Sequence, residues 1–289
     1  MSVARCPGSC GELIQGWILG SEKLISCPID WYSTVEVRDG TPLPDERPLT
    51  RAMVSALLAH FGYPQALSSA LRIEVDSTLP IAKGMASSTA DIAATAVAAA
   101  HHLGHSLDES TLAALCVSLE PTDSTLFRRL TLFCHHHATT QIACAPAPHF
   151  DLLVLESPVF LRTADYHRLP RAAALTAHAE VLHQAWGKVQ RACIEQDASL
   201  LGEAATLSAI ASQSLLSKPG FATLMALVES CDLYGLNVAH SGSVVGLMLD
   251  QDRHDVEYLR WALTQKKLTN HWPKQHLLSA VSGGVQLST

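Results

Sequence analysis

Residues 79–91 read Leu-Pro-Ile-Ala-Lys-Gly-Met-Ala-Ser-Ser-Thr-Ala-Asp and run directly into an alanine-rich stretch at 92–100. The pattern predicts a strand end, a loop of small residues and a helix start in immediate succession, an arrangement suited to holding phosphate. The first N–H groups of a helix have no partner within it, and the helix dipole places partial positive charge at the same end. Gly84, Ala86, Ser87, Ser88 and Thr89 keep the loop small enough for a polyanion to approach the main chain. The hydroxyls of Ser88 and Thr89 can bond phosphate or reach a magnesium ion. This is no Walker A motif, because Lys83 precedes Gly84 and no Gly-Lys-Ser/Thr comes after it. The plainer alternative is a helix cap at Ser87 or Ser88, with Gly84 as a turn residue.

Two other clusters carry chemistry. Ser118-Leu-Glu120-Pro121-Thr122-Asp123-Ser124 is acidic, and Pro121 should end the helix before it and expose Thr122, Asp123 and Ser124. Its plain alternative is a helix C-terminus followed by an Asx-type turn. Cys134-His135-His136-His137 invites a metal. Consecutive residues on a strand point to opposite faces, however, so three adjacent histidines cannot all ligate one ion there, and the plainer reading is polar strand or loop residues. The eight cysteines include no C-x-x-C pair, and reduced, buried thiols are expected without a structural metal.

The spacing Pro80-x-x-x-Gly84-Met85-x-Ser87-Ser88-Thr89-Ala90 resembles the second motif of the GHMP kinases, P-x-x-x-G-L-G-S-S-A-A, with Ala86 for a Gly and Thr89 for an Ala. Arg5-Cys-Pro7-Gly8-Ser9-Cys10-Gly11-Glu12-Leu13-Ile14-Gln15-Gly16 resembles the first motif, an early strand and turn lining the substrate pocket. Asn237-Val-Ala-His240-Ser241-Gly242-Ser243-Val-Val-Gly246-Leu-Met-Leu249 is similar to the third, its glycine run reduced to Ser-Gly-Ser. Three motifs in order span nearly the whole chain.

The resemblance implies an α+β, two-lobed fold: a ribosomal S5 domain 2-like N-terminal lobe at 1–149 and a ferredoxin-like α/β C-terminal lobe at 150–289. It implies ATP held by Pro80, Ile81, Ala82, Lys83, Gly84, Met85, Ala86, Ser87, Ser88 and Thr89, with Mg²⁺ at Ser88 and Glu120. Lys83 could neutralise ATP charge or be an ordinary exposed turn lysine. Asp123 falls where the resemblance places the group that accepts or orients the acceptor's hydroxyl proton. Glu12 and Asp30 border the acceptor pocket by resemblance; either could pair with an ammonium group, or with solvent, Arg5 or Arg38. The strings Pro-Gly-Ser-Cys-Gly-Glu-Leu-Ile-Gln-Gly and Leu-Glu-Pro-Thr-Asp-Ser are most similar to the branch that phosphorylates L-threonine on the way to the aminopropanol linker of cobalamin. Homoserine or another small alcohol as acceptor, and a catalytically silent ligand sensor, are the alternatives.

The elements that must position these residues are legible in outline. Alternation predicts strands at 24–37 and 71–76, the latter delivering the chain to the loop at 79–89. Helices are expected near 49–61, through the alanine tract, at 107–119, 172–188, 189–212, 221–234 and 255–265, with strands at 150–155 and 244–249. Pro146 and Pro148 mark the break between halves. With 20 basic against 27 acidic residues and a net charge of −7, nucleic acid is not expected as a partner. No signal peptide pattern opens the sequence and no apolar run approaches the ~20 residues of a membrane span, so a cytoplasmic protein is expected; the oligomeric state is open.

Overall fold

The computed structural model describes residues 1–161, 168 and 171–288. Strands β1 (Ser2–Ile18) and β2 (Ser21–Asp39) form a long antiparallel hairpin. Its two turn residues, Leu19 and Gly20, both have positive φ, the geometry that matches strand twist in a tight hairpin. The register of β1 shifts between Pro7 and Ser9, between Ser9 and Glu12, and between Glu12 and Ile14. The first motif is therefore a bulged strand rather than a strand and a turn. Bulges of this kind bend a strand and re-aim its side chains.

After α1 (Pro48–His60), β3 (Leu71–Ser77) pairs with β2 and leads to the loop before α2 (Ser87–His102). The small side chains of α2 are buried nearly all round, from Thr89 to Ala100. Such a helix belongs to the interior, and it packs with β1, β2 and α1 around Val35, Val37, Leu57 and Phe133. Next come α3 (Glu109–Val117) and the short strands β4 (Thr131–Phe133) and β5 (Gln141–Ala143), which the sequence pattern does not mark.

β6 (Asp151–Glu156) opens the second half. It continues through α4 (Ala172–Ala177), α5 (Ala179–Glu195), α6 (Ala198–Ser212), α7 (Phe221–Ser230), β7 (Gly235–Val238), β8 (Val245–Leu249), α8 (Val256–Gln265), β9 (Lys274–Ser279) and β10 (Gln286–Ser288). The expected division at 188/189 falls instead at Gln196–Asp197. Gln196 is left-handed, and the Asp197 carboxylate accepts from Leu200 N at 3.0 Å, a helix stop followed by a cap. The strands join one sheet in the order β5-β4-β2-β1-β7-β8-β6-β9, with β10 on β1 and β3 on β2. The halves meet where Glu12 of β1 pairs with Val238 of β7. No described helix is long and apolar enough to cross a membrane.

Candidate active site

The loop between β3 and α2 owes its shape to carbonyl groups fastened from outside. Ala82 O accepts from Leu161 N (2.9 Å), Lys83 O from Ser243 N (2.9 Å) and Val244 N (3.2 Å), Gly84 O from Gly11 N (3.1 Å), and Met85 O from Ser9 N (3.0 Å). The three sequence motifs thus meet at one loop, and motifs one and three bind the carbonyl face of motif two. Residues 82, 84 and 86 have positive φ. Alternation of positive φ with the intervening residues is the kind of backbone that can turn successive N–H groups to one side, as in anion-binding nests. Among the described residues, no main-chain N–H from Gly84 to Thr89 donates to an acceptor.

The N-cap of α2 is Ala86, and no side chain caps the helix. Neither Ser87 nor Ser88 therefore fills the capping role that the plainer reading offered. The bare helix start opens into a cavity of about 530 Å³. Ile81, Ala82, Gly84, Met85, Ala86, Ser87, Ser88 and Thr89 line it, together with Glu12, Glu120, Asp123 and Ser241.

Asp123 follows Pro121 at the end of the segment after α3 and is joined directly to α2. Its main-chain N–H donates to Thr89 Oγ1 at 3.1 Å, and that hydroxyl donates to Asp123 Oδ2 at 3.3 Å. Ser26 Oγ donates to Oδ1 at 3.3 Å. Burial, with the negative charge of Glu12 and Glu120 adding to it, pushes the Asp123 carboxyl up to about 7 against the two hydroxyls. Glu120 is also raised, chiefly by burial, while the Ser88 hydroxyl that bonds it acts in the opposite sense. A hydroxyl and a carboxylate side by side on the cavity wall are hard oxygen donors of the kind Mg²⁺ takes.

Three sequence candidates lie apart from this cavity. Pro80 lines a separate groove with Trp31, Phe160 and His276. Lys83 is buried, not an exposed turn lysine; its ammonium donates to Ser157 O (2.6 Å) and Val159 O (2.9 Å) and sits 3.8 Å from the Phe160 ring centre. It ties the loop to the end of β6. Asp30 is exposed and accepts from Ser279 N at 3.0 Å, an edge contact between β2 and β9.

Other residues near the cavity had no assigned role in the sequence. Ser26 is a fully buried serine within an apolar strand, and that misfit is the signal that could have found it. His240 belongs to the third motif and holds Glu12, with Oε2 of Glu12 accepting from its main-chain N (2.8 Å) and from Nδ1 (3.0 Å).

The histidine run also departs from expectation. Residues 135–137 form a turn, so alternation does not apply, and ligand atoms of His135, His136 and Glu22 lie within 4.8 Å of one another. The Glu22 carboxylate is shared with Arg171. Although burial alone would raise it, His136 and Arg171 hold its carboxyl down at about 2.

Comparisons with known proteins agree with this geometry. The family model described as GHMP kinases N terminal domain matches residues 48–127. An L-threonine kinase of Citrobacter freundii is 72% identical over 99% of this chain and 100% of its own length. An L-threonine kinase of Salmonella typhimurium is 70% identical over 99% of this chain and 96% of its own. In fold, the chain resembles homoserine kinase from Cytophaga hutchinsonii, with a TM-score of 0.70, 15% identity, and coverage of 99% of this chain and 97% of that one. It also resembles the Methanococcus jannaschii mevalonate kinase, with a TM-score of 0.63, 12% identity, and coverage of 99% and 98%. A bulged first strand, a loop of small residues at a bare helix start and a turn from the third motif, together with these relatives, establish that the chain belongs to the GHMP kinase family.

Proposed function

We propose that the protein transfers the γ-phosphoryl group of ATP to the hydroxyl of L-threonine, giving L-threonine O-3-phosphate for the aminopropanol linker of cobalamin. The observation that carries this reading is the contact between Thr89, in the first turn of α2, and Asp123. It sets a phosphate cradle and a carboxylate with a raised pKa side by side in one cavity. The identity of the acceptor is supported by two near-full-length relatives named for threonine.

The roles divide by chemistry. The amides of 84–89 and the α2 dipole receive the phosphates. Ser88 and Glu120 fit Mg²⁺, which when bound offsets phosphate charge; a protein of similar fold has been solved with AMPPCP and magnesium. Asp123 accepts the acceptor's hydroxyl proton as the phosphoryl group moves, a transfer in which positioning and electrostatics dominate. Glu12 takes the acceptor's ammonium group. We place the protein in the cytoplasm, in keeping with its described cysteines, all of them free thiols.

The test is ADP release from Mg-ATP with L-threonine, D-threonine, L-serine, L-homoserine and simple sugars, with phosphorus NMR on the product. Selective phosphothreonine formation is expected. ADP release with a different acceptor would discard threonine, and nucleotide binding without turnover would favour a sensor. Ser88→Ala is expected to raise the Mg²⁺ concentration for half-maximal rate roughly tenfold, the loss of one ligand oxygen, with the melting temperature unmoved. A lower melting temperature with unchanged Mg²⁺ dependence would return Ser88 to a purely structural role.

A further inference from the structure

Glu12 is buried, yet it lines the cavity, and its two carboxylate oxygens have different surroundings. Oε2 takes both bonds from His240, whereas Oε1 takes no hydrogen bond from the described residues. The nearby cation Lys218 supplies none either; its ammonium donates to Gly242 O at 2.7 Å. Behind His240 stands a chain of hydrogen bonds with a fixed direction. Gln15 N donates to Ser208 Oγ at 3.0 Å, and Ser208 Oγ lies 3.1 Å from His240 Nε2. An amide N–H can only donate, so Ser208 accepts there and has one hydrogen left for Nε2. Nδ1 of His240 faces only acceptors, Glu12 Oε2 at 3.0 Å and Val238 O at 3.2 Å, so it carries a proton and donates to Glu12, and the Ser208 hydrogen given to Nε2 completes the chain. That tautomer gives every member of the chain a partner.

We propose that His240 is a positioning residue for acceptor recognition: with Ser208 setting its tautomer, it holds Glu12 so that Oε1 faces the cavity as the receptor for an ammonium group. The inference rests on the reading of the protein as an amino-acid kinase. Glu12, Glu120 and Asp123 line the same cavity, so a neutral polyol gains little beside them, whereas the ammonium of a 2-amino alcohol meets an acceptor-only oxygen already desolvated and fixed. A buried carboxylate free to rotate would lose that preorganisation.

The experiment measures KM and kcat of the full chain for L-threonine at saturating Mg-ATP, and KM for ATP, in His240→Leu, His240→Asn and Ser208→Ala. His240→Leu is expected to raise KM for L-threonine by roughly tenfold or more, the effect of one bond to a charged group. KM for ATP stays within about twofold and kcat within about threefold, since uniform binding is what is lost. His240→Asn, whose amide nitrogen occupies the place of Nδ1, is expected to restore KM to within about threefold of the wild type. Ser208→Ala, a truncation in a buried site, frees the imidazole to turn a lone pair on Glu12 and raises the same KM. It decides the matter if His240→Leu does not fold. Unchanged KM for L-threonine in Ser208→Ala and in a folded His240→Leu would overturn the proposal, as would His240→Asn being impaired as badly as His240→Leu. A wild-type protein that releases no ADP with L-threonine would instead remove the functional reading beneath it, before any variant is compared.

Discussion

Asp123→Asn is expected to lower kcat by roughly 10²- to 10⁴-fold, the usual contribution of a positioned base, while Mg-ATP binds within about threefold of the wild-type affinity. The amide keeps the shape of the side chain and can accept from only one of the Thr89 and Ser26 hydroxyls, with its NH₂ facing the other, and it cannot accept a proton. A variant that retained near-normal turnover would reduce Asp123 to an orienting group. The pH dependence carries a second signature. A base must be ionised, and the Asp123 carboxyl is pushed up to about 7 by burial, with Glu12 and Glu120 adding to the effect. In the wild type, kcat/KM for the acceptor therefore falls as pH drops through that region. If the acceptor's ammonium sits at Glu12 as proposed, it offsets one of those charges only in the complex with acceptor, so the acid limb of kcat is expected below that of kcat/KM.

Stability runs the other way. The unfolded chain ionises Asp123 near 3.8, so between there and about 7 the folded state binds the proton more tightly and loses stability as pH rises. Asp123→Asn is thus expected to melt higher than the wild type at pH 8. A rate defect combined with a gain in melting temperature, measured on one variant, separates a functional carboxylate from a structural one.

Gly84→Val is expected to weaken ATP binding roughly 100-fold or more, through left-handed strain and overpacking together worth about 2–5 kcal/mol. Gly84 has φ of +80°, and a Cβ there would lie 2.3 Å from Ala239 Cβ and 3.0 Å from Gly242 Cα. Those neighbours belong to the turn of the third motif, and Lys218 pins that turn at Gly242 O. Neither side can yield without releasing the carbonyls that Gly11 and Ser243 hold. Gly62→Ala is the matched control: φ is +74° with nothing within 4 Å, so it suffers only the backbone penalty of about 1 kcal/mol, and nucleotide affinity should not move. Equal loss of ATP affinity in both variants would mean that the loop is not the nucleotide site.

Legibility in the sequence tracks the range of the forces involved. The loop at 79–89 was legible because small residues before an alanine-rich helix have one local outcome, and Pro121 marked the break before Asp123, although Thr122 and Ser124 on either side of it are buried rather than exposed. Lys83 was not legible: the carbonyls of Ser157 and Val159 that bury its charge come from the other half of the chain. Asp30 likewise finds its partner at Ser279, across the sheet. Strands β7, β9 and β10 are short and weakly patterned, and they are strands through partners distant in sequence or across the sheet: β7 between β1 and β8, β9 on β6 and β10 on β1. For the histidine run, the alternation argument needed a strand, whereas Cys134 O closes a turn by accepting from His137 N and Ala138 N.

The outward fastening of the loop carbonyls also bears on how the protein is made. A ribosome that has emitted α2 has produced every residue of the loop, and Ser9 and Gly11 are available to hold two of its carbonyls. Lys83 O has no donor until Ser243 and Val244 have left the exit tunnel. Domains generally fold as units, the N-terminal part first during synthesis, yet here the earlier half waits for the later one to complete its own loop. Because a ligand stabilises only the state that binds it, ATP bound at this loop is expected to protect the finished chain from proteolysis and to leave prematurely terminated products exposed to it.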